Sequence, residues 1–277
     1  MSEVRPLPDA IDAAPAALPL RSVLPAFVLD VVLAITLSFS MLMLGLFGWA
    51  AWQGVQLAQR NGGALDAQAL QAQLGAAPVL FLIVMTLVST GGTALLLYVW
   101  RRRATPVERQ ASFNRLRHHR TWVWALVAGL ATFLFSSLMS AAGRALGLDL
   151  EPSNLDLIRE GFARYPVFLT LFAVMLAPLY EELLFRRVLF GRLWQAGWPV
   201  LGLVLSSLVF ALVHELPGLN GKPMASTVFL ILVYAGMGAM FAWVYRRTQT
   251  LWAPIAAHIL NNAIALAVLQ VYGSAPV

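Results

Sequence analysis

The 277-residue chain contains no cysteine and a single lysine, Lys222, and only 12% of its residues are charged. Each scarcity excludes something. Without cysteine, neither a disulfide framework nor a thiolate metal site can form, and redox compartment leaves no mark. Soluble domains carry roughly 25% charged residues, so this composition argues against a water-exposed globule. The net charge of +6 comes almost wholly from arginine. Those arginines sit in short segments between apolar runs, which is a membrane-topology pattern rather than a nucleic-acid surface. The N-terminal segment holds Glu3, Asp9, Asp12 and several prolines. It lacks a basic stretch leading into a short apolar core, so it reads as a tail and not as a signal peptide.

What the chain has in abundance is apolar: 60% of its residues are hydrophobic. Spanning roughly 30 Å of hydrocarbon takes about 20 residues. Runs of that kind occur near 24–51, 76–100, 121–143, 165–190, 197–215, 225–245 and 250–272. Lipid offers a loose backbone no partners, so each run is expected to be helical. The predicted fold is an all-α, polytopic transmembrane helix bundle. It has seven helices, or eight if the over-long fourth run divides at Pro178, which cannot donate a backbone bond. Segment 101–120 holds seven arginines against one glutamate and is therefore expected to be cytoplasmic. Alternation puts the N-terminus, the Arg192 turn and Arg246–Arg247 on that same side, with the connections 52–75 and 144–164 outside.

One stretch breaks the apolar pattern: PLYEELLFRRVLF, residues 178–190. Charges within a membrane are costly and by default mark a functional site with a partner. Glu182 and Arg186 stand four apart and share a helix face, so they can pair. Glu181 is rotated about 100° from Glu182 and projects elsewhere. One carboxylate is then neutralised while its neighbour stays free. The competing reading makes these charges the snorkelling end of a helix, with the membrane ending near Tyr180.

Two of the four histidines, His118 and His119, lie in the basic loop; the others, His214 and His258, lie in apolar runs. Phe210 is one turn before His214, and Asn262 one turn after His258, each on the histidine's own face. If the fourth and fifth helices turn near Gly197, Glu181 and His214 both lie roughly 24–25 Å from that turn. His258 lies roughly 16 Å past Arg247 from the same side, so three groups on three helices can meet. Glu181 is suited to take a proton from water, and His214 to share it or pass it to a leaving amine. His258 and Asn262 are donors for a developing oxyanion. Such a set composes a hydrolase acting by water attack. A serine nucleophile is not available: Ser206 and Ser207 lie two turns from His214, and Gly-x-Ser-x-Gly is absent. "HELPG" at His214 ends in glycine where a His-Glu-x-x-His zinc motif needs histidine. A transporter would predict repeated halves or paired broken helices, which the sequence lacks.

These pieces, in this order, resemble the CPBP family, which comprises type II CAAX prenyl endopeptidases and bacterial relatives including Abi-type bacteriocin-immunity proteins. Glu181, Glu182 and Arg186 match its Glu-Glu-x-x-x-Arg motif, Phe210 and His214 its Phe-x-x-x-His motif, and His258 and Asn262 its His-x-x-x-Asn motif. The resemblance covers roughly 165–270. It implies an intramembrane endopeptidase cleaving a membrane-associated peptide or protein, with Glu181 and His214 activating water. His258 and Asn262 would form the oxyanion site, and Glu182, Arg186 and Phe210 would support them. Relatives are often described as metalloproteases, and Glu181, His214 and His258 could supply three zinc ligands with an open position. The reading taken here needs no cofactor, with zinc as the alternative. A non-catalytic membrane regulator or immunity-type protein of the same fold is the functional alternative. The expected organisation is a disordered cytoplasmic tail (1–23), N-terminal transmembrane helices with the basic loop (24–163), CPBP-like catalytic helices (164–272) and a C-terminal tail (273–277). Expected partners are membrane lipid and a peptide or protein substrate, with no nucleic acid. The Arg-, Ala- and Leu-rich chain reads as a multi-pass protein of a bacterial inner membrane.

Overall fold

A computed structural model describes residues 17–63, 66–218 and 221–273. Among these residues the regular structure is entirely helical. The helices are α1 (Leu20–Arg60), α2 (Ala67–Leu74), α3 (Val79–Arg101), α4 (Pro106–Leu116) and α5 (His119–Ala145), followed by α6 (Leu155–Arg164), α7 (Pro166–Gln195), α8 (Pro199–His214), α9 (Met224–Thr248) and α10 (Trp252–Tyr272). Six of them, α1, α3, α5, α7, α9 and α10, are long and apolar enough to cross a membrane, and α8 is a shorter apolar helix of 16 residues. Together they are the seven apolar runs of the sequence. Apolar side chains line the outward faces at helical spacing, as at Val28, Val32, Ile35 and Phe39 of α1 and Leu134 and Leu138 of α5. Such a surface belongs in hydrocarbon, and the protein is a multi-pass integral membrane protein.

Two boundaries differ from the sequence expectation, and one open alternative is decided. Residues 1–16 of the expected tail, and 274–277 at the other end, lie outside the described residues. Helix α1 already starts at Leu20, because Val23 and Phe27 bury their side chains in the core. The connection 52–75 is largely helical: α1 runs on to Arg60, about 60 Å in all, and α2 follows. Alanine, glutamine and leucine dominate that stretch and are good helix formers. Finally, α7 is not divided at Pro178, which lies buried inside it. A wide, π-type turn over Phe172–Leu176 precedes the proline and accommodates its missing donor. Among the described residues the apolar helices therefore number seven.

The packing is arranged around α7. Helix α8 returns alongside it after a turn at Gly197, whose φ of 90° favours glycine. Helix α9 packs along α8, and α5 packs against α9 and α10. At Gly129 of α5 a Cβ would stand 2.8 Å from the carbonyl oxygen of Ala257. Only a glycine lets α5 lie this close to the backbone that carries His258. Among the connections, α4 begins with a capping box in which Thr105 and Glu108 satisfy each other's backbone amides.

Candidate active site

Helix α7 positions the charged stretch through a second wide turn, Leu183–Phe190, in which residues 184–190 are all buried. Single π-type turns recur at functional sites because they re-aim side chains within a helix. Glu182 and Arg186 are both fully buried, and the Arg186 Nε donates to Glu182 Oε2 at 2.8 Å. Among the described residues the Arg186 Nη atoms have no hydrogen-bond partner. The guanidinium instead faces the rings of Phe210 at 5.2 Å and of Phe185 and Phe241 at 5.9 Å each. Cation–π contacts of this kind gain strength when desolvated. The charges are thus enclosed, and the snorkelling reading does not hold.

The other Glu182 oxygen, Oε1, stands 3.0 Å from Nδ1 of His258. A carboxylate only accepts, so the hydrogen-bond network assigns the proton to Nδ1 and turns Nε2 toward the cavity. His214 is arranged in the same manner: its Nδ1 donates to the Phe210 carbonyl at 2.8 Å. Rings hold both imidazoles. His214 lies between Phe210 at 4.2 Å and Tyr234 at 4.8 Å, while His258 stacks on Phe241 at 4.6 Å. The two free Nε2 atoms face one acceptor. Glu181 Oε2 is 3.8 Å from each of them.

These groups line a cavity of about 320 Å³, together with Tyr180, Asn261 and Asn262. Pro152, Asn154 and Leu155 of the connection opposite the arginine-rich loop border it as well. Asn262 is present, yet its Nδ2 donates to the carbonyl of Ala173 in the first wide turn of α7, at 2.9 Å. One amide hydrogen of Asn262 therefore ties α10 to α7, and the second is left for the cavity. Its neighbour Asn261 donates to Asn262 Oδ1 at 3.1 Å, and the Oδ1 of Asn261 has no partner among the described residues.

The sequence reading missed three contributors. Tyr234 carries no signal in the apolar run that surrounds it. Glu215 follows His214 directly and is buried, bonding the Ser153 hydroxyl and standing 3.7 Å from Lys222. It holds the 150–154 segment beside the cavity. Glu108 of α4 grips Arg187 through both oxygens, at 3.1 and 2.9 Å. That bond, above all, pulls the Glu108 carboxyl down to about 2, with the Thr105 cap adding to it and partial burial opposing it.

Zinc takes donors of the types Glu181, His214 and His258. Among the described residues, however, no three such groups are close enough to hold an ion. The Glu181 oxygen is 3.8 Å from each imidazole nitrogen, whereas ligands on a tetrahedral zinc lie about 3.3 Å apart. The arrangement as it stands does not fit the metal.

Within a bundle of long apolar helices, one carboxylate and two imidazoles thus border a single cavity. Comparison with known proteins shows what that part of the chain resembles. Residues 163–264 match the family described as type II CAAX prenyl endopeptidase Rce1-like. The chain is similar to YdiL of Bacillus subtilis (strain 168), whose name describes a membrane peptidase, at 27% identity over 146 residues. That alignment covers 52% of this chain and 54% of YdiL. It is also similar to the membrane-embedded CAAX protease MroQ of Staphylococcus aureus (strain USA300), at 30% identity over 151 residues, 52% of this chain and 56% of MroQ. The chain thus spans little more than half the length of the curated relatives it matches. No solved structure matches it significantly.

Proposed function

We propose that this protein is an intramembrane endopeptidase that hydrolyses a peptide bond of a membrane-associated substrate, with water activated by Glu181. The carrying observation is the single Glu181 oxygen facing the Nε2 atoms of both His214 and His258 at 3.8 Å. That gap suits a water molecule or a scissile carbonyl between the groups. Ionised Glu181 takes a proton from water as the hydroxide adds to the carbonyl carbon. His258, in its doubly protonated form with Nδ1 held by Glu182, donates from Nε2 to the developing oxyanion, and the free amide hydrogen of Asn262 assists. The tetrahedral adduct collapses as its C–N bond breaks. The proton held by Glu181 passes to the departing amine, directly or across His214 Nε2. Water is consumed, and a carboxylic acid and an amine result.

Glu182 and Arg186 touch no substrate in this scheme. Arg186 balances the charge of Glu182, and Glu182 fixes the tautomer and orientation of His258, as a carboxylate does behind a catalytic imidazole. The border of Pro152, Asn154 and Leu155 makes the side opposite the basic loop the route of substrate entry. The family motifs and the names of the relatives support the reaction class. The test of the metal-free scheme is activity of the purified protein in chelator, with elemental analysis of the same sample. Retained cleavage without metal supports the scheme. Metal at one per chain, with activity lost on its removal, overturns the scheme in favour of a zinc hydrolase.

A further inference from the structure

A second cavity, of about 710 Å³, lies between α3, α4, α7 and α10 on the arginine-rich side. Its volume falls within the roughly 300–1,000 Å³ of small-molecule sites. It changes character along its length. At one end Glu108, Arg109, Arg187 and Gln195 line it, with Gln195 donating to Glu108 at 3.2 Å. At the other end the lining is Gly91, Leu95, Leu179 and Leu183, closed by Tyr180, which borders the catalytic cavity too. Gly91 lies about 15 Å along α3 from the basic end at Arg101. A chamber polar at the membrane surface and apolar beneath matches an amphiphile with one head and a chain.

Charge selects the head. Four guanidiniums, of Arg101, Arg102, Arg187 and Arg192, share the two carboxylates of Asp30 and Glu108 at this corner. The Arg102 side chain donates to Gln195, while its Nε is buried with no hydrogen-bond partner among the described residues. Burial, with repulsion from Arg192 and Arg187, holds the Arg102 guanidinium down at about 10. Positive charge is thus in excess beside the polar end, to which Arg109 adds. A phosphate would relieve it through charge-assisted bonds to guanidinium groups. The positive-inside rule assigns this side to the cytoplasmic leaflet, where a membrane offers anionic lipids.

We propose that this cavity binds one anionic membrane lipid, with its phosphate beside Arg109 and Arg187, backed by the charge of Arg102 behind Gln195, and an acyl chain running past Leu95 and Leu183 toward Tyr180. The full chain, purified in detergent, is incubated with phosphatidylglycerol or phosphatidylcholine vesicles and read by native mass spectrometry and thermal melting. The expected result is one phosphatidylglycerol retained per chain with a raised Tm, and no retained phosphatidylcholine. Arg109→Gln at the head and Leu95→Trp in the chain region should each weaken retention about tenfold, with both variants melting cooperatively. Inorganic phosphate alone should neither raise the Tm nor displace the lipid. Equal retention of the two lipids by the wild type overturns the proposal without reference to any variant. So does a phosphate effect equal to that of the lipid, which would leave a bare anion site. A photocrosslinker at position 95 that captures substrate peptide instead of lipid would give the cavity to the substrate, and would equally refute the assignment.

Discussion

The Nδ1 of His258 and the Oε1 of Glu182 meet at 3.0 Å in a fully enclosed part of the bundle. This contact divides the labour of two adjacent carboxylates. Glu182 is committed on one oxygen to an arginine and on the other to an imidazole. Glu181, one residue earlier, is directed into the cavity. The division yields a stability prediction. Glu182→Gln should lower stability by about 3–5 kcal/mol, because it leaves the Arg186 charge buried without its counter-ion. Glu181→Gln should shift the melting temperature far less. The double change Glu182→Gln with Arg186→Met should recover part of the loss, since replacing a buried pair by apolar volume is often near neutral. Identical melting curves for the three variants would contradict the pairing.

A close approach between helices sets the depth of His258. Gly129→Ala would press a methyl group to within 2.8 Å of the Ala257 carbonyl oxygen. We expect a cost of about 1–3 kcal/mol from overpacking, together with reduced kcat as α10 shifts. The same change at Gly48, where an added Cβ meets nothing within 4 Å, serves as the control and should leave both unchanged. Urea or thermal unfolding alongside a cleavage assay reads both effects.

The docking of α4 should show in its acid response. Glu108 is lowered from its ordinary value of 4.5 to about 2 when folded, facing Arg187, Arg102, Thr105 and Gln195. Because the folded value is the lower one, its contribution is fully present above about pH 4.5 and disappears as pH falls through about 2. The side chain is 37% exposed, so solvent screening keeps that contribution under about 1 kcal/mol. Glu108→Gln should therefore melt slightly earlier than wild type at pH 7, with the difference closing toward pH 2. A gap that widens on acidification would reverse the sign and refute the pairing.

Much of this site could be read from the chain, for reasons that can be named. Apolar runs fix helices because the bilayer leaves the backbone no other solution. The pairs Glu182–Arg186 and Phe210–His214 were legible because a spacing of four residues puts side chains on one face. The meeting of Glu181 with His214 followed from equal distances to the turn at Gly197. What stayed hidden depended on tertiary context. No periodicity announces the wide turns of α7, which bury Arg186 and Arg187 together and let Pro178 pass without dividing the helix. Asp30, fully buried between Arg101 and Arg192, is the lone acidic residue of α1, and its partners lie 71 and 162 residues away. The bond from Asn262 to the Ala173 carbonyl was equally hidden, since it depends on where a distant helix opens.

Phe241 offers a test of orientation separate from charge. Its ring stacks on His258 at 4.6 Å and also faces the Arg186 guanidinium. Phe241→Leu keeps most of the apolar volume and removes the aromatic face. We expect a stability loss of about 1 kcal/mol and a larger fall in kcat than in KM, with Phe241→Tyr restoring part of the rate. A change confined to KM would place Phe241 against the substrate instead.

The central claim is that Glu181 performs the chemistry and that its neighbour Glu182 does not. It is tested most directly by mapping peptide termini in membrane fractions of cells expressing wild type, Glu181→Gln or empty vector, with the amounts of folded protein matched. The account predicts new termini within or beside membrane segments that appear only with wild type and vanish for Glu181→Gln despite an unchanged melting temperature. The same termini persisting at wild-type levels with Glu181→Gln would contradict it.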